Sequence, residues 1–177
     1  RADVIARVGV DLSERAVGTS AISAALTELQ PVWLHRGEHF FDDTGVYSCA
    51  GAPVFGPDGQ CAGMLDLTGV EVVERPALKH LVRRAARSIE NGWLLAAPHA
   101  LTLRLNWPGN QPGDDSDGLL TLDADGRITG ANPTARQMLS LDIQDTQSHA
   151  SDVFAMPWES LFDAAQRDMG PCEVPLW

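Results

Sequence analysis

Apolar positions along this chain change period several times, and each change marks an element. Ile22, Ala25, Leu26 and Leu29 recur at the three- and four-residue steps of one helical face. Gly18 leads into Thr19 and Ser20, either of which can cap that helix by accepting an orphan backbone N–H, and Pro31 stops it. Residues 32–34 open a short β-rich run, and 37–43 read as a loop or short helical turn. Residues 46–54 and 61–68 flank Gly56-Pro57-Asp58-Gly59, which takes turn dihedrals at low cost, so the pair predicts a β-hairpin. A period of two puts Cys61, Gly63, Leu65 and Leu67 on one face of its second strand and Ala62, Met64, Asp66 and Thr68 on the other. A carboxylate among those apolar neighbours suits a central strand with helices on one face and a pocket on the other.

Residues 76–95 carry the plainest helical pattern, with Leu78, Leu81, Val82, Ala85 and Ile89 as its buried stripe. Lys79, Arg83 and Arg87 follow at four-residue steps as a solvated face, and Glu90 is placed to pair back toward Arg87. The stripe runs on to Trp93 and Leu94, further than one small sheet needs, which predicts a dimer contact or packing on a following module. Between 98 and 117 the pairs Pro108-Gly109 and Pro112-Gly113 and the acidic run at 114–117 signal a linker. Alternation at 101–106 predicts a strand inside that stretch, assignable to neither neighbour. Residues 119–122 and 127–130 form a second hairpin around Asp123-Ala124-Asp125-Gly126. Asn132 then caps a helix that has Pro133 at its first position. Residues 158–169 form a last amphipathic helix with Leu161, Phe162 and Ala165 inward, closed by Gly170. The fold class is α+β, with antiparallel sheets flanked by helices.

The formal net charge of −11 over 177 residues changes the functional picture most. Binding to duplex DNA needs a basic face that displaces counterions from phosphates; the acidic balance argues against that, and aromatics interleaved with Lys and Arg are missing. No apolar run approaches the roughly 20 residues of a membrane helix. Cys49, Cys61 and Cys172 are odd in number and lack metal spacing, which suits buried thiols in a reducing cytoplasm.

Chemistry could be sought at three places. His35 and His39, with Glu38 beside them, could share a helical turn as a zinc pair does. The H-E-x-x-H order is missing, however, and no third ligand is signalled, so a loop histidine satisfied by hydrogen bonds is preferred. Cys49 with His39 could form a thiol–base pair, but the alternation Tyr47-Ser48-Cys49-Ala50 reads as a sheet strand, with Cys49 lining a pocket or core. None of the five histidines stands out as a haem ligand, and the five tryptophans are scattered, so packing is their default. No cofactor or metal is called for. The predicted pocket lies between the first hairpin and the 37–43 loop. Tyr47, Cys49, Met64 and Asp66 would form its sheet wall, with Glu38, His39 and Phe40 on the loop.

Four blocks carry a family resemblance: ERAVGTSAISAAL from Glu14, PVWLHRGEHFF from Pro31, VYSCAGAPVFGPDGQCAGMLDLTG from Val46, and GLLTLDADGRITGANPTARQML from Gly118. The first three resemble the GAF sensor of acetoin- and dihydroxyacetone-type activators that work with the sigma-54 polymerase (Fis family). The fourth resembles the opening of a PAS domain. Family members usually read Gly-Thr-Asn where this chain has Gly18-Thr19-Ser20. The resemblance implies a GAF domain over 1–97, a linker over 98–117 and a partial PAS domain over 118–177, with further elements expected beyond both ends. It implies a cytoplasmic sensory fragment rather than an enzyme, binding a small organic effector or a regulatory protein, and a homodimer. DNA contact would fall to other domains. The Walker pattern G-x-x-x-x-G-K-[ST] is missing from this chain. Two alternatives stand beside this reading: a structural dimerisation and protein-interaction module without ligand, and a small-molecule enzyme using His39, Cys49 or Asp66.

The acidic charge generates a direct expectation. In a mobility-shift assay at moderate salt the chain leaves duplex DNA unshifted, and sub-micromolar binding would refute that.

Overall fold

The computed structural model describes residues 7–40, 42–107, 109–110, 113–114, 116–142, 148–167 and 170–177. They divide into two units, Arg1–Val54 with Cys61–Ser88, and Phe55–Gln60 with Ile89–Trp177.

The first unit is built on a three-stranded sheet of order β1-β2-β3, from β1 (Val32–His35), β2 (Tyr47–Phe55) and β3 (Cys61–Val70). Strand β1 pairs antiparallel with β2, from Val32 opposite Gly51 to His35 opposite Ser48. Two helices precede the sheet, α1 (Glu14–Val17) and α2 (Ala21–Glu28). Ser20 caps α2 reciprocally: its hydroxyl accepts from Ser23 N at 3.2 Å, and its own N–H donates to Ser23 Oγ at 3.0 Å. The stretch 37–43 holds parts of two 3-10 turns, Arg36–Glu38 and Asp42–Thr44; Phe41 lies outside the described residues.

Strand β2 is buried on both faces from Tyr47 to Pro53. Tyr47 and Cys49 pack with Ala21, Val32, Leu34 and Val70 on one side. Ala50 and Ala52 pack with Trp33, Leu65, Val82 and Ala86 on the other. At Gly51 helix and sheet meet closely, since a Cβ there would lie 2.8 Å from both the Ala21 carbonyl oxygen and Met64 Cε. That seam takes only small residues, which corrects the expected face of α2. Ala21 and Ala25 are buried, whereas Leu26 and Leu29 are each more than two-fifths exposed.

Helix α3 (Leu78–Ala96) is corrected in the same way. Its buried positions are Val82, Ala86, Glu90 and Leu94, while Leu81 and Ile89 stand exposed. The buried line thus follows strict four-residue steps and includes a carboxylate. Glu90 accepts the Phe55 N–H at 2.9 Å rather than serving only as a surface partner for Arg87.

The second unit has its own antiparallel sheet of order β4-β5-β6, from β4 (Leu101–Leu105), β5 (Gly118–Leu122) and β6 (Ile128–Ala131). Strand β4 lies inside the stretch read as a linker. Pairing from Leu101 opposite Leu122 to Leu105 opposite Gly118 makes it an integral edge of this sheet. Helices α4 (Pro133–Leu139), α5 (Ala150–Val153) and α6 (Glu159–Gln166) follow. Helix α6 ends before Gly170, Ala165 is exposed, and Met169 lies outside the described residues. Leu120, Leu122, Ala131, Ala135, Ala150, Phe154 and Leu161 form the core. The turn Phe55–Gln60 belongs here, the Pro57 carbonyl accepting from Ala131 N at 3.0 Å and Arg136 Nη2 at 3.1 Å. Among the described residues no helix is long and apolar enough to cross a membrane.

Asn132 ties this unit together. Its Oδ1 accepts from Leu119 N at 3.0 Å and caps α4 through Ala135 N at 2.8 Å, while Nδ2 donates to Asn91 Oδ1 and the Asp117 carbonyl, each at 2.9 Å. Replacing it with Ala strands buried groups on both sides, at an expected cost of about 2–3 kcal/mol. Asn132→Asp keeps the acceptor but sets a carboxylate oxygen against two other oxygens, so it fails to rescue. Urea unfolding of the two variants checks this, and a loss below about 0.5 kcal/mol for either would contradict the network's role.

Candidate functional site

The first unit holds a partly open cavity of about 80 Å³ lined by two helices, a loop and the sheet. A water molecule needs about 10–15 Å³ of such space, so the cavity fits a molecule of several heavy atoms. Leu12, Val17, Ala21 and Ile22 make the apolar roof, with Ser20 at the start of α2. Tyr47 and Cys49 on β2, and Asp66 and Thr68 on β3, make the floor, each pair two residues apart and so on one face. His39 and Thr44 enter from the connection between β1 and β2.

The 3-10 turn Arg36–Glu38 positions His39. Arg36 takes a left-handed φ of 47°, a conformation that costs a residue with a Cβ about 1–2 kcal/mol. Its carbonyl receives both the His39 backbone N–H at 3.0 Å and the ring Nδ1–H at 2.9 Å. A carbonyl can only accept, so Nδ1 carries a proton, and in the neutral tautomer Nε2 is the lone-pair atom facing the cavity. On the floor, the Thr68 hydroxyl donates to Asp66 Oδ2. Its single proton is thereby committed, so the Cys49 thiol, 3.3 Å from Thr68 Oγ1, is the donor in that contact. Among the described residues three buried side-chain polar atoms lack a partner, Trp33 Nε1, His39 Nε2 and Asp66 Oδ1, and the last two belong to residues that line the cavity.

Burial raises the Asp66 carboxyl above the usual aspartate range, while the Thr68 hydrogen bond and, in its protonated form, His39 pull it back down. Burial likewise pushes the Cys49 thiol up to about 11; the Thr68 hydrogen bond opposes this and the Asp66 charge adds to it. Cys49 is therefore a protonated thiol at neutral pH, with Thr68 as its partner rather than His39. The thiol–imidazole pair considered from sequence is not formed, and a thiol held this way is a poor nucleophile. The two histidines of the zinc alternative also diverge: His35 Nδ1 meets Ser48 Oγ at 2.7 Å, whereas His39 faces the cavity.

Of the seven residues named from sequence, the structure brings His39, Tyr47, Cys49 and Asp66 together around this cavity. Met64 lies toward Gly51 and is not in the lining. Glu38 turns back to accept the His35 N–H at 2.6 Å, closing the 3-10 turn, and its side chain is exposed. Phe40 is 70% exposed and is not in the lining. Leu12, Val17, Ser20, Ala21, Ile22, Thr44 and Thr68 were missed. Only Thr68 had a legible signal, its two-residue offset from Asp66.

Residues 4–92 match the family model described as GAF domain. The chain belongs to the GAF domain family. The cavity lies within this GAF domain. Over 92% of the chain it is 33% identical to the acetoin catabolism regulatory protein of Cupriavidus necator, covering 25% of that protein. It is 27% identical over 86% of its length to a signal-transduction and transcriptional-control protein of Clostridium beijerinckii, covering 24% of it. Over 34% of the chain it is 37% identical to the acetoin dehydrogenase operon transcriptional activator AcoR of Bacillus subtilis, covering 10% of that protein. The chain spans about a quarter of the length of the first two curated relatives. The resemblance of the first three sequence blocks to the GAF region of sigma-54-type activators therefore stands.

The raised Asp66 carboxyl carries a stability consequence. Unfolded aspartate titrates near 3.9, and the folded GAF domain holds the proton more tightly than that. Stability due to this group therefore falls as pH rises from about 4 through the raised folded value. Asp66→Asn keeps an acceptor for Thr68 without the buried charge. Its melting temperature should exceed the parent's near neutral pH, with the gap closing toward about pH 4. A variant less stable than the parent at neutral pH would contradict the assignment.

Proposed function

We propose that this chain is the sensory region of a bacterial sigma-54-dependent transcriptional activator, with a small uncharged organic effector bound in the GAF cavity. The membership of the GAF family and the regulatory names of the relatives give it a regulatory role. The observation that carries the effector reading is the pair of unpartnered atoms, His39 Nε2 and Asp66 Oδ1, in a largely apolar cavity. A buried polar group without a partner costs roughly 1–3 kcal/mol. A ligand able to satisfy both relieves that cost, and this relief is the differential affinity by which binding shifts a conformational equilibrium. Acetoin, which appears in the names of two relatives, is of the size the cavity takes.

Residues 118–177 are assigned to a partial PAS domain that receives the signal, with 1–97 as the GAF part. A second reading, in which the chain also associates with a copy of itself, draws on Leu81, Ile89 and Trp93. These stand about half exposed at multiples of four residues along α3. Leu94, expected from sequence to share that face, is buried instead.

Thermal unfolding with a panel of three- and four-carbon alcohols and ketones tests the effector reading. A saturating ligand adds about 2.7 kcal/mol at a hundredfold excess over its dissociation constant, enough to raise the melting temperature by several degrees without turnover. His39→Ala should abolish most of that rise. If no compound moves the transition, or if the substitution leaves the rise intact, the cavity is not the effector site.

A further inference from the structure

The two open atoms in the cavity have the same hydrogen-bonding sense. His39 is 7% exposed, its Nδ1 proton is committed to the Arg36 carbonyl, and in the neutral ring Nε2 is left as a buried acceptor. Asp66 Oδ2 already accepts from Thr68, which leaves Oδ1 of the carboxylate as a second acceptor. The protons of Thr68, Cys49 and Ser20 point elsewhere. The Thr68 hydroxyl proton goes to Asp66 and the Cys49 thiol proton to Thr68. The Ser23 hydroxyl donates to the Ser20 carbonyl at 3.2 Å, so the Ser20 hydroxyl, 3.3 Å from Ser23 Oγ, donates to that oxygen.

We infer that the cavity selects small uncharged molecules that bring two hydroxyl donors, a diol, over carbonyl compounds of the same skeleton. The inference rests on the effector reading above and gives it a chemical direction. A carbonyl oxygen offers the two acceptors nothing, and placing it there leaves both unsatisfied. An anion would meet the Asp66 carboxylate. The apolar wall from Leu12, Val17, Ala21 and Ile22 takes the methyl ends of a short carbon chain, and the volume of about 80 Å³ suits a molecule of several heavy atoms. Sites built to hydrogen-bond a hydroxyl discriminate sharply against analogues that lack it, because the buried protein groups stay unpaired.

Vicinal butanediol, acetoin and diacetyl share one carbon skeleton and carry two, one and no hydroxyl donors. Calorimetry of the full chain with each, at about pH 8 where free carboxylates are ionised, should give affinities that fall about tenfold for each donor lost. Asp66→Asn, verified as folded by its melting transition, turns one acceptor into an amide that can donate. It should weaken the diol and narrow or invert its advantage over diacetyl. Diacetyl binding as tightly as the diol overturns the inference and leaves the effector reading standing. So does sec-butylammonium binding more tightly than the diol, which would make the site a cation site. If all three compounds fail while another alcohol or ketone of the thermal panel binds, the diol preference alone falls. If nothing in either set binds, both readings fall together.

Discussion

Burying strand β2 on both faces governs the rest of the first unit. A strand flanked by helices on both sides needs side chains that let each helix approach, and Tyr47–Pro53 meets this with small residues at the contacts. Gly51 admits the backbone of α2, and Ala50 and Ala52 admit Val82 and Ala86 of α3. Once α2 is seated at Gly51, the larger Tyr47 and Cys49 further along the same face cannot be covered equally closely. The gap they leave is the cavity, floored by Asp66 and Thr68 on the neighbouring strand. Packing of one glycine thus decides both the seam and the void beside it.

The two units treat buried polar groups in opposite ways. In the second, Asn132 places two acceptor and two donor contacts, and the buried Asp117 accepts from Arg104 Nη1 at 3.0 Å, Asn106 Nδ2 at 2.7 Å and Gly113 N at 2.6 Å. Such saturation rigidifies a fold and leaves nothing for a ligand. In the first, His39 and Asp66 are held by one atom each and present the other to an empty space. Groups left open in this way carry a stability cost, which the proposed effector would offset. The cavity's thiol is kept protonated at neutral pH and donates to the Thr68 hydroxyl, which donates in turn to the Asp66 carboxylate.

Local patterning along the chain determined which elements form. Period two in 46–54 and 61–68 with a Gly-Pro-Asp-Gly turn, the Ser20 and Asn132 caps, and the long amphipathic stretch at 76–95 all recur in the structure within a few residues. These depend on backbone preferences and nearest neighbours, so they are legible without knowing what packs on what. Three cavity residues were legible for the same reason, since strand alternation puts Tyr47 with Cys49 and sets Asp66 on a single face, while His39 was read from its place on the 37–43 loop.

Only tertiary structure decided which helical face turns inward, because that depends on the shape of the opposing surface rather than on hydrophobicity. Leu26, Leu29, Leu81 and Ile89 are more apolar than Ala21, Ala25, Ala86 or Glu90, yet the smaller or hydrogen-bonded residues are the buried ones. It also decided that 101–105 is a sheet strand, since an edge strand acquires its identity from the register opposite β5. Glu38 and Phe40 shared a loop with His39 but not its direction, which the left-handed turn at Arg36 sets. Alternation along one strand cannot tell which atoms two segments leave unpaired. That the open atoms are Nε2 of His39 and Oδ1 of Asp66 follows from hydrogen bonds whose partners sit up to three residues away along folded backbone, and from a helix roof contributed by residues 12–22.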